Sequence, residues 1–182
     1  MSGQRQAAFL GGINLGNRRV KMDELRRLFE ALGLERVETF IASGNVVFDG
    51  AGADASRLEA EIERHLEDGL GFRTTVFVRS MDLLAALVED AVVARAREEG
   101  FTPHVIFLRK APGADVEPAL GELESEEDRF LMLGREVVWL RRGRLTDSPI
   151  KTKDLGSALG GVPTTMRNMN TIRRMVEKLG KD

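Results

Sequence analysis

Three short stretches of the chain carry the residues that could do chemistry. The first is Gly11-Gly12-Ile13-Asn14-Leu15-Gly16-Asn17, followed by Arg18, Arg19 and Lys21. Glycine reaches backbone angles and close approaches that are closed to other residues. A strand that ends in such a turn and then feeds a helix can aim backbone N–H groups at an anion. Gly12 and Gly16 would supply the amides, Asn14 and Asn17 polar contacts, and Lys21 a positive charge. The spacing fits neither G-x-x-x-x-G-K-[ST] nor G-x-G-x-x-G. The plain alternative is a tight strand-to-helix connection that needs left-handed residues and binds nothing.

The second stretch is Ser43-Gly44-Asn45. A serine on a sharp turn invites comparison with a nucleophile elbow, but Ile41 and Ala42 precede it and the G-x-S-x-G context is missing. A hairpin turn or bulge accounts for the same residues, since Gly and Asn tolerate positive φ. The third stretch runs from Pro163 to Thr171. Thr164 reads as the N-cap of a last helix. Helical spacing then places Arg167, Thr171, Arg174 and Lys178 on one polar stripe. Arg167, Asn168 and Asn170 gather at that helix's positive end, which suits an anionic ligand. Lys151 and Lys153 lie just upstream. The alternative is an ordinary capped helix with a solvated basic face.

Other chemistries find little support. The chain has no cysteine, which excludes disulfides, thiolate metal sites and thiol catalysis together. Its two histidines, His65 and His104, each read as boundary residues, so a hydrolase triad lacks an evident base. Glu124-Ser125-Glu126-Glu127-Asp128 reads as a solvated acidic turn rather than a calcium loop. No metal and no cofactor are expected. There is no tyrosine, Trp139 is the one tryptophan, and the K/R-G-F/Y signature of RNA-recognition sheets is missing.

Charge is unevenly spread. Ala111 to Asp128 holds seven acidic residues and no basic one, whereas Arg141 to Asp182 holds ten basic and four acidic. That basic segment would attract anions. A chain net charge of −2 is nevertheless unlike a dedicated nucleic-acid binder. No stretch approaches the roughly 20 apolar residues of a membrane span. The opening apolar run suits a core strand better than a signal peptide. The cytoplasm is the expected compartment, and a membrane is not an expected partner.

The elements that must position these stretches follow from periodicity. Strands are predicted over Gln6–Leu10, Val37–Ile41, Val46–Phe48 and Thr74–Val78. Helices are predicted over Met22–Leu32, and after Asp54 with Leu58, Ile62 and Leu66 inward. The order βαββαβ is the ferredoxin-like unit. A single helix over Met81–Glu98 follows, then a strand over Val105–Leu108. A proline-punctuated connector runs into a short helix ending near Leu123. Phe130–Leu133 and Val137–Leu140 form a hairpin at Gly134-Arg135. The chain is read as irregular or short-helical until Thr164, where the terminal helix begins. The expectation is an α+β protein of two ferredoxin-like-type subdomains, βαββαβ and a similar β-α-β-β-α half, packed together. The subdomains would span 1–80 and 81–182.

Phe9 to Gly16, Val20-Lys21-Met22 with Leu25, Ile41 to Phe48 and Arg167 to Thr171 together resemble the bacterial domain-of-unknown-function family 1697, across nearly the whole chain and in the same order. The resemblance implies two small ferredoxin-like subdomains and no established activity. The chain departs from the family's usual pattern at Gly11 (Arg), Ala42 (Gln), Met166 (Thr) and Met169 (Trp), and its Ser-Lys-Leu segment has no clean counterpart near Pro149-Ile150-Lys151.

The functional expectation is a binding protein with one site built from Gly12, Asn14, Gly16, Lys21, Ser43, Asn45, Arg167, Asn168 and Asn170. Its ligand would be a nucleotide, a phosphorylated metabolite or a nucleic-acid backbone. Two rival classes are an enzyme of the transferase or hydrolase type acting on a phosphate ester, and a protein-interaction module without a ligand site.

Overall fold

The computed structural model describes residues 4–14, 16, 19–50 and 54–180. The chain divides into two compact units, Met1–Leu84 with Met175–Asp182, and Ala85–Arg174. The C-terminal segment from Met175 thus groups with the first unit.

In the first unit β1 (Gln4–Gly11), α1 (Met22–Ala31), β2 (Glu35–Thr39), β3 (Asn45–Gly50), α2 (Ala55–Leu70) and β4 (Thr75–Ser80) follow in order. The strands form one sheet in the order β2-β3-β1-β4, with β1 antiparallel to both neighbours. Alternation decides which residues share a face, and the central strands are buried on both, with Phe9, Val47 and Phe77 on the face away from α1 and α2. Ala8 and Leu10 of β1, Val46 and Phe48 of β3, and Val76 and Val78 of β4 share one face. That face packs on Leu25 and Phe29 of α1, four residues apart, and on Leu58, Ile62 and Leu66 of α2, each four apart. Asp54 caps α2 as its type predicts, its side chain accepting from Ser56 N at 2.9 Å. The outer N–H groups of edge strand β4 meet α2, Val76 N donating to Glu63 at 2.9 Å and Val78 N to Glu59 at 2.8 Å.

One predicted helix is two. α3 (Met81–Glu89) stops at Asp90, whose side chain accepts from Val92 N and Val93 N and starts α4 (Ala91–Glu98). An aspartate that caps so well nucleates a new helix rather than continuing the old one.

The second unit then continues with β5 (Phe101–Leu108), α5 (Val116–Gly121), β6 (Asp128–Leu133), β7 (Glu136–Arg142), α6 (Thr152–Ala158) and β8 (Thr164–Asn168), and α7 (Met169–Leu179) closes the chain. The sheet order is β6-β7-β5-β8, strand for strand that of the first unit. Two α+β halves of ferredoxin-like topology result. The second is a complete βαββαβ, not the shorter β-α-β-β-α expected, because residues 164–168 form β8 instead of helix. Thr165 pairs with Phe107 and Arg167 with Val105 along β5. Its core sets Ile106, Leu108, Val137 and Trp139 against Val116 and Leu120 of α5 and Ala158 and Leu159 beside α6.

Each sheet also buries an ion pair. Arg5 donates to Asp49 at 3.0 Å, Glu38 at 2.7 Å, and the carbonyls of Arg36 and Leu179. Asp128, fully buried, accepts from Trp139 Nε1 and Arg141, both at 2.8 Å, and from Ser148 at 3.2 Å. The stretch Glu124–Asp128, read as a solvated acidic turn, therefore contains the buried anchor of the second unit; Glu124, Glu126 and Glu127 remain exposed.

Candidate functional site

The first two predicted stretches meet in the first unit. Residues after Gly11 connect β1 to α1, and residues 40–44 connect β2 to β3. The β1–α1 connection is fixed from below, because Ile13 and Val20 are buried in the core. Thr74 Oγ1 donates to the Gly11 carbonyl at 2.6 Å. Asn14 then ties the two loops together. Its Nδ2 donates to the Ala42 carbonyl at 3.0 Å, and its Oδ1 accepts from Val20 N at 3.1 Å. Leu10 N donates across to the Gly44 carbonyl at 2.8 Å.

The second loop is drawn in by Gly44. It has φ +71°, and a Cβ there would stand 2.7 Å from Ile13 Cγ2. Only glycine allows this contact. Asn45, wholly buried, donates through Nδ2 to the Phe40 carbonyl at 3.1 Å and to Ser43 Oγ at 2.7 Å. Asn14 and Asn45 thus shape the loops, a role that needs no ligand. Among the described residues of the two loops, Gly16, Arg19, Lys21, Ile41, Ala42 and Ser43 are exposed, beside half-buried Gly12. Gly12 and Gly16 are both left-handed, with φ of 73° and 59°. Asn17 and Arg18 lie outside the described residues.

Lys21 is the N-cap of α1 and makes no side-chain capping bond. Asp23 and Glu24 in the first turn already meet the positive end of that helix. An anion on the axis of α1 would face these carboxylates. The favourable ground is the loop side, near Lys21 and Arg19, where Arg19 is exposed and reaches the Gly16 carbonyl at 3.4 Å.

The third stretch belongs to the second unit up to Arg174. Thr164 is no helix cap, and Arg167 is not on the helical stripe with Thr171, Arg174 and Lys178, because both residues lie in β8. The capping residue is Asn168, whose Oδ1 accepts from Asn170 N at 2.8 Å. Arg167 turns back on its own strand, donating to Thr165 Oγ1 at 2.8 Å and the Met166 carbonyl at 2.9 Å. Burial lowers its guanidinium to about 10, still charged at neutral pH.

Among the described residues no three histidine or carboxylate side chains gather in a way that would hold a metal ion. His65 lies on α2. His104 lies on β5, where burial pushes its imidazole below the usual histidine range against the opposing pull of the Thr102 and Trp139 carbonyls. Among the described residues no helix is long and apolar enough to cross a membrane.

These features define an α+β protein of two ferredoxin-like halves, with a loop-built candidate site in the first. The chain belongs to the family described as protein of unknown function (DUF1697), whose model matches residues 4–138. It is also similar in fold to the solved structure of the conserved bacterial protein SP0830 from Streptococcus pneumoniae. That likeness has a TM-score of 0.70 and 24% identity, covering 96% of this chain and 97% of that one. No curated protein matches the chain at a significant level.

Proposed function

We propose that the protein binds a small phosphate-bearing anion at the paired loops of its first unit. The carrying observation is Asn14, whose Nδ2 donates to the Ala42 carbonyl of the facing loop while its Oδ1 accepts from Val20 N of its own, so that one side chain ties together two segments distant in sequence. Such ordering is what a backbone-amide site needs, since the amides are set before the ligand arrives. Gly12 and Gly16 supply the left-handed turns, Lys21 the charge, and Ser43 a hydroxyl on the facing loop. Asn45 and Gly44 hold that loop in place. In the second unit Arg167, Asn168 and Asn170 are engaged within their own strand-to-helix junction, and the reading does not require them. With no cysteine in the chain, we place the protein in the cytoplasm as part of the same reading.

The test is thermal unfolding against inorganic phosphate, nucleoside phosphates and sugar phosphates. A ligand at 100 times its Kd adds about 2.7 kcal/mol. For a chain of this size that raises Tm by about 5–10 °C. Lys21→Ala should abolish most of the rise. No rise with any of these anions, in a folded sample, contradicts the proposal.

A further inference from the structure

We propose that the second unit binds a small carboxylic acid with an apolar body, its carboxylate held by the outward N–H of Met166 on the edge of β8. Three outward edge N–H groups elsewhere in the protein each meet a glutamate. On β4, Val76 N donates to Glu63 at 2.9 Å and Val78 N to Glu59 at 2.8 Å; on β6, Phe130 N donates to Glu124 at 2.8 Å. The edge of β8 is built differently.

Backbone bonding fixes which groups of β8 point outward. Arg109 N donates to the Pro163 carbonyl at 3.1 Å, which extends the β5–β8 ladder by one pair. Antiparallel pairs alternate between bonded and unbonded. Thr165 and Arg167 therefore bond toward β5, and Thr164 and Met166 turn their N–H groups away from it. These two positions answer to Val76 and Val78. Thr164 lies opposite Leu108 and Met166 opposite Ile106, as Val76 lies opposite Leu10 and Val78 opposite Ala8. The next residue repeats the match, Arg79 donating to the Val78 carbonyl at 2.8 Å and Arg167 to the Met166 carbonyl at 2.9 Å. The glutamates do not repeat. α2 has sixteen residues and brings Glu59 and Glu63 to β4, whereas α6 has seven and carries no glutamate. Among the described residues no side chain accepts from Thr164 N or Met166 N.

A cavity of about 270 Å³ lies beside this edge. Ile106, Trp139 and Met166 of the sheet form one wall, and Leu145, Ile150 and Leu155 the other. Thr152 and Thr164 are exposed at its rim. Both walls hang on one buried carboxylate. Asp128 accepts from Trp139 Nε1 at 2.8 Å and from Ser148 at 3.2 Å, and Ser148 Oγ accepts from Ile150 N at 3.2 Å. The space is thus set before a ligand arrives.

Edge and cavity together select the ligand. The N–H calls for an anionic oxygen, as its counterparts on β4 show, and the cavity for an apolar body. A cavity of about 150 Å³ takes one benzene ring, and drug-sized ligands start at about 300 Å³, so the occupant is a single ring or a short branched chain. Thr164 N lies roughly 6.5–7 Å along the strand from Met166 N, beyond the span of one carboxylate, so a monoacid suffices. Exposed Lys151 and Lys153 flank Thr152 and outweigh Asp154 there, which favours an anion.

Trp139 is the one tryptophan of the chain, so its fluorescence reports on this cavity. Phenylacetate and isovalerate, titrated into the full chain, should change that signal saturably and shift the Met166 amide in NMR. Phenylacetamide has the same shape without the charge and should bind roughly tenfold more weakly, having lost one charge-assisted hydrogen bond. Met166→Pro removes the N–H at an edge position that tolerates proline and should weaken phenylacetate to a similar degree, whereas Met166→Leu keeps the N–H and should bind as wild type does. Ile150→Phe, which narrows the cavity and leaves the edge intact, should weaken both acids, and it carries the test if the proline variant fails to fold. The proposal is overturned by equal affinity for acid and amide, by no saturable response to either acid, or by binding that is confined to an extended peptide and moves every outward amide of β8.

Discussion

The two halves share one strand order but not one chemistry. In the first, the β1–α1 and β2–β3 loops are long enough to meet, and Asn14 locks them. In the second, the counterpart connections are a proline-bearing segment before α5 and a tight turn at Gly134-Arg135. No asparagine bridges them. The edges differ in the opposite sense. β2 is five residues long, mostly charged, and bulged between Glu35 and Glu38, with Arg36 at φ 47°. Charge and a bulge are how proteins blunt an edge. β6 is apolar and unbulged along Phe130–Leu133, and its edge is covered instead by the preceding turn, Glu124 accepting from Phe130 N and Ser125 bonding Asp128. Topology therefore repeats while the loops and the edge strands differ between the halves.

The buried ion pairs offer the largest expected effect. Asp128→Ala strips Trp139 Nε1 of its buried acceptor and leaves Arg141 only the exposed Glu127 and the Arg144 carbonyl, and should cost about 3–5 kcal/mol. Asp49→Ala should cost less, since no indole N–H is orphaned there and Arg5 keeps Glu38 and two carbonyls. Denaturant unfolding of both variants compares the halves directly, and equal losses would erase the asymmetry. Next come the glycines. Gly44→Ala combines left-handed strain with a clash on Ile13 and should cost about 2–4 kcal/mol. Gly16→Ala, with nothing within 4 Å of its Cβ, should cost only the left-handed strain, about 1–2 kcal/mol.

The smallest effect is in pH. His104 has its folded pKa depressed, so the unfolded chain takes up the proton first. Its contribution is whole above the unfolded value near 6.5 and is lost as pH falls from there toward the folded value. His104→Gln should flatten that part of the stability profile. First-half variants at Asn14 or Gly44 should leave its slope unchanged.

Much of the scaffold was readable because its periodicity is local. Leu25 with Phe29, and Leu58 with Ile62 and Leu66, mark helix faces whatever the rest of the chain does. β8 was not readable. Thr164 and Thr165 suit a strand and a helix start equally, and β8 runs into α7 with no intervening loop, so the apolar spacing of Met169, Ile172 and Val176 pulls the boundary forward. Asp90 was missed as a break because apolar residues continue on both sides of it. At the candidate site, Gly44 and Asn45 could be recognised as turn residues. That Gly44 must leave room for Ile13, and that Asn14 reaches Ala42, depends on contacts 31 and 28 residues apart along the chain, which no local pattern encodes.

The most direct measurement is a titration of the isotope-labelled full chain with inorganic phosphate, followed by amide NMR. We predict saturable shifts at Gly12, Gly16, Lys21 and Ser43, with β6 and the Asp128 region unmoved. Shifts absent at those four amides, or spread evenly over every basic surface, would contradict the proposed site.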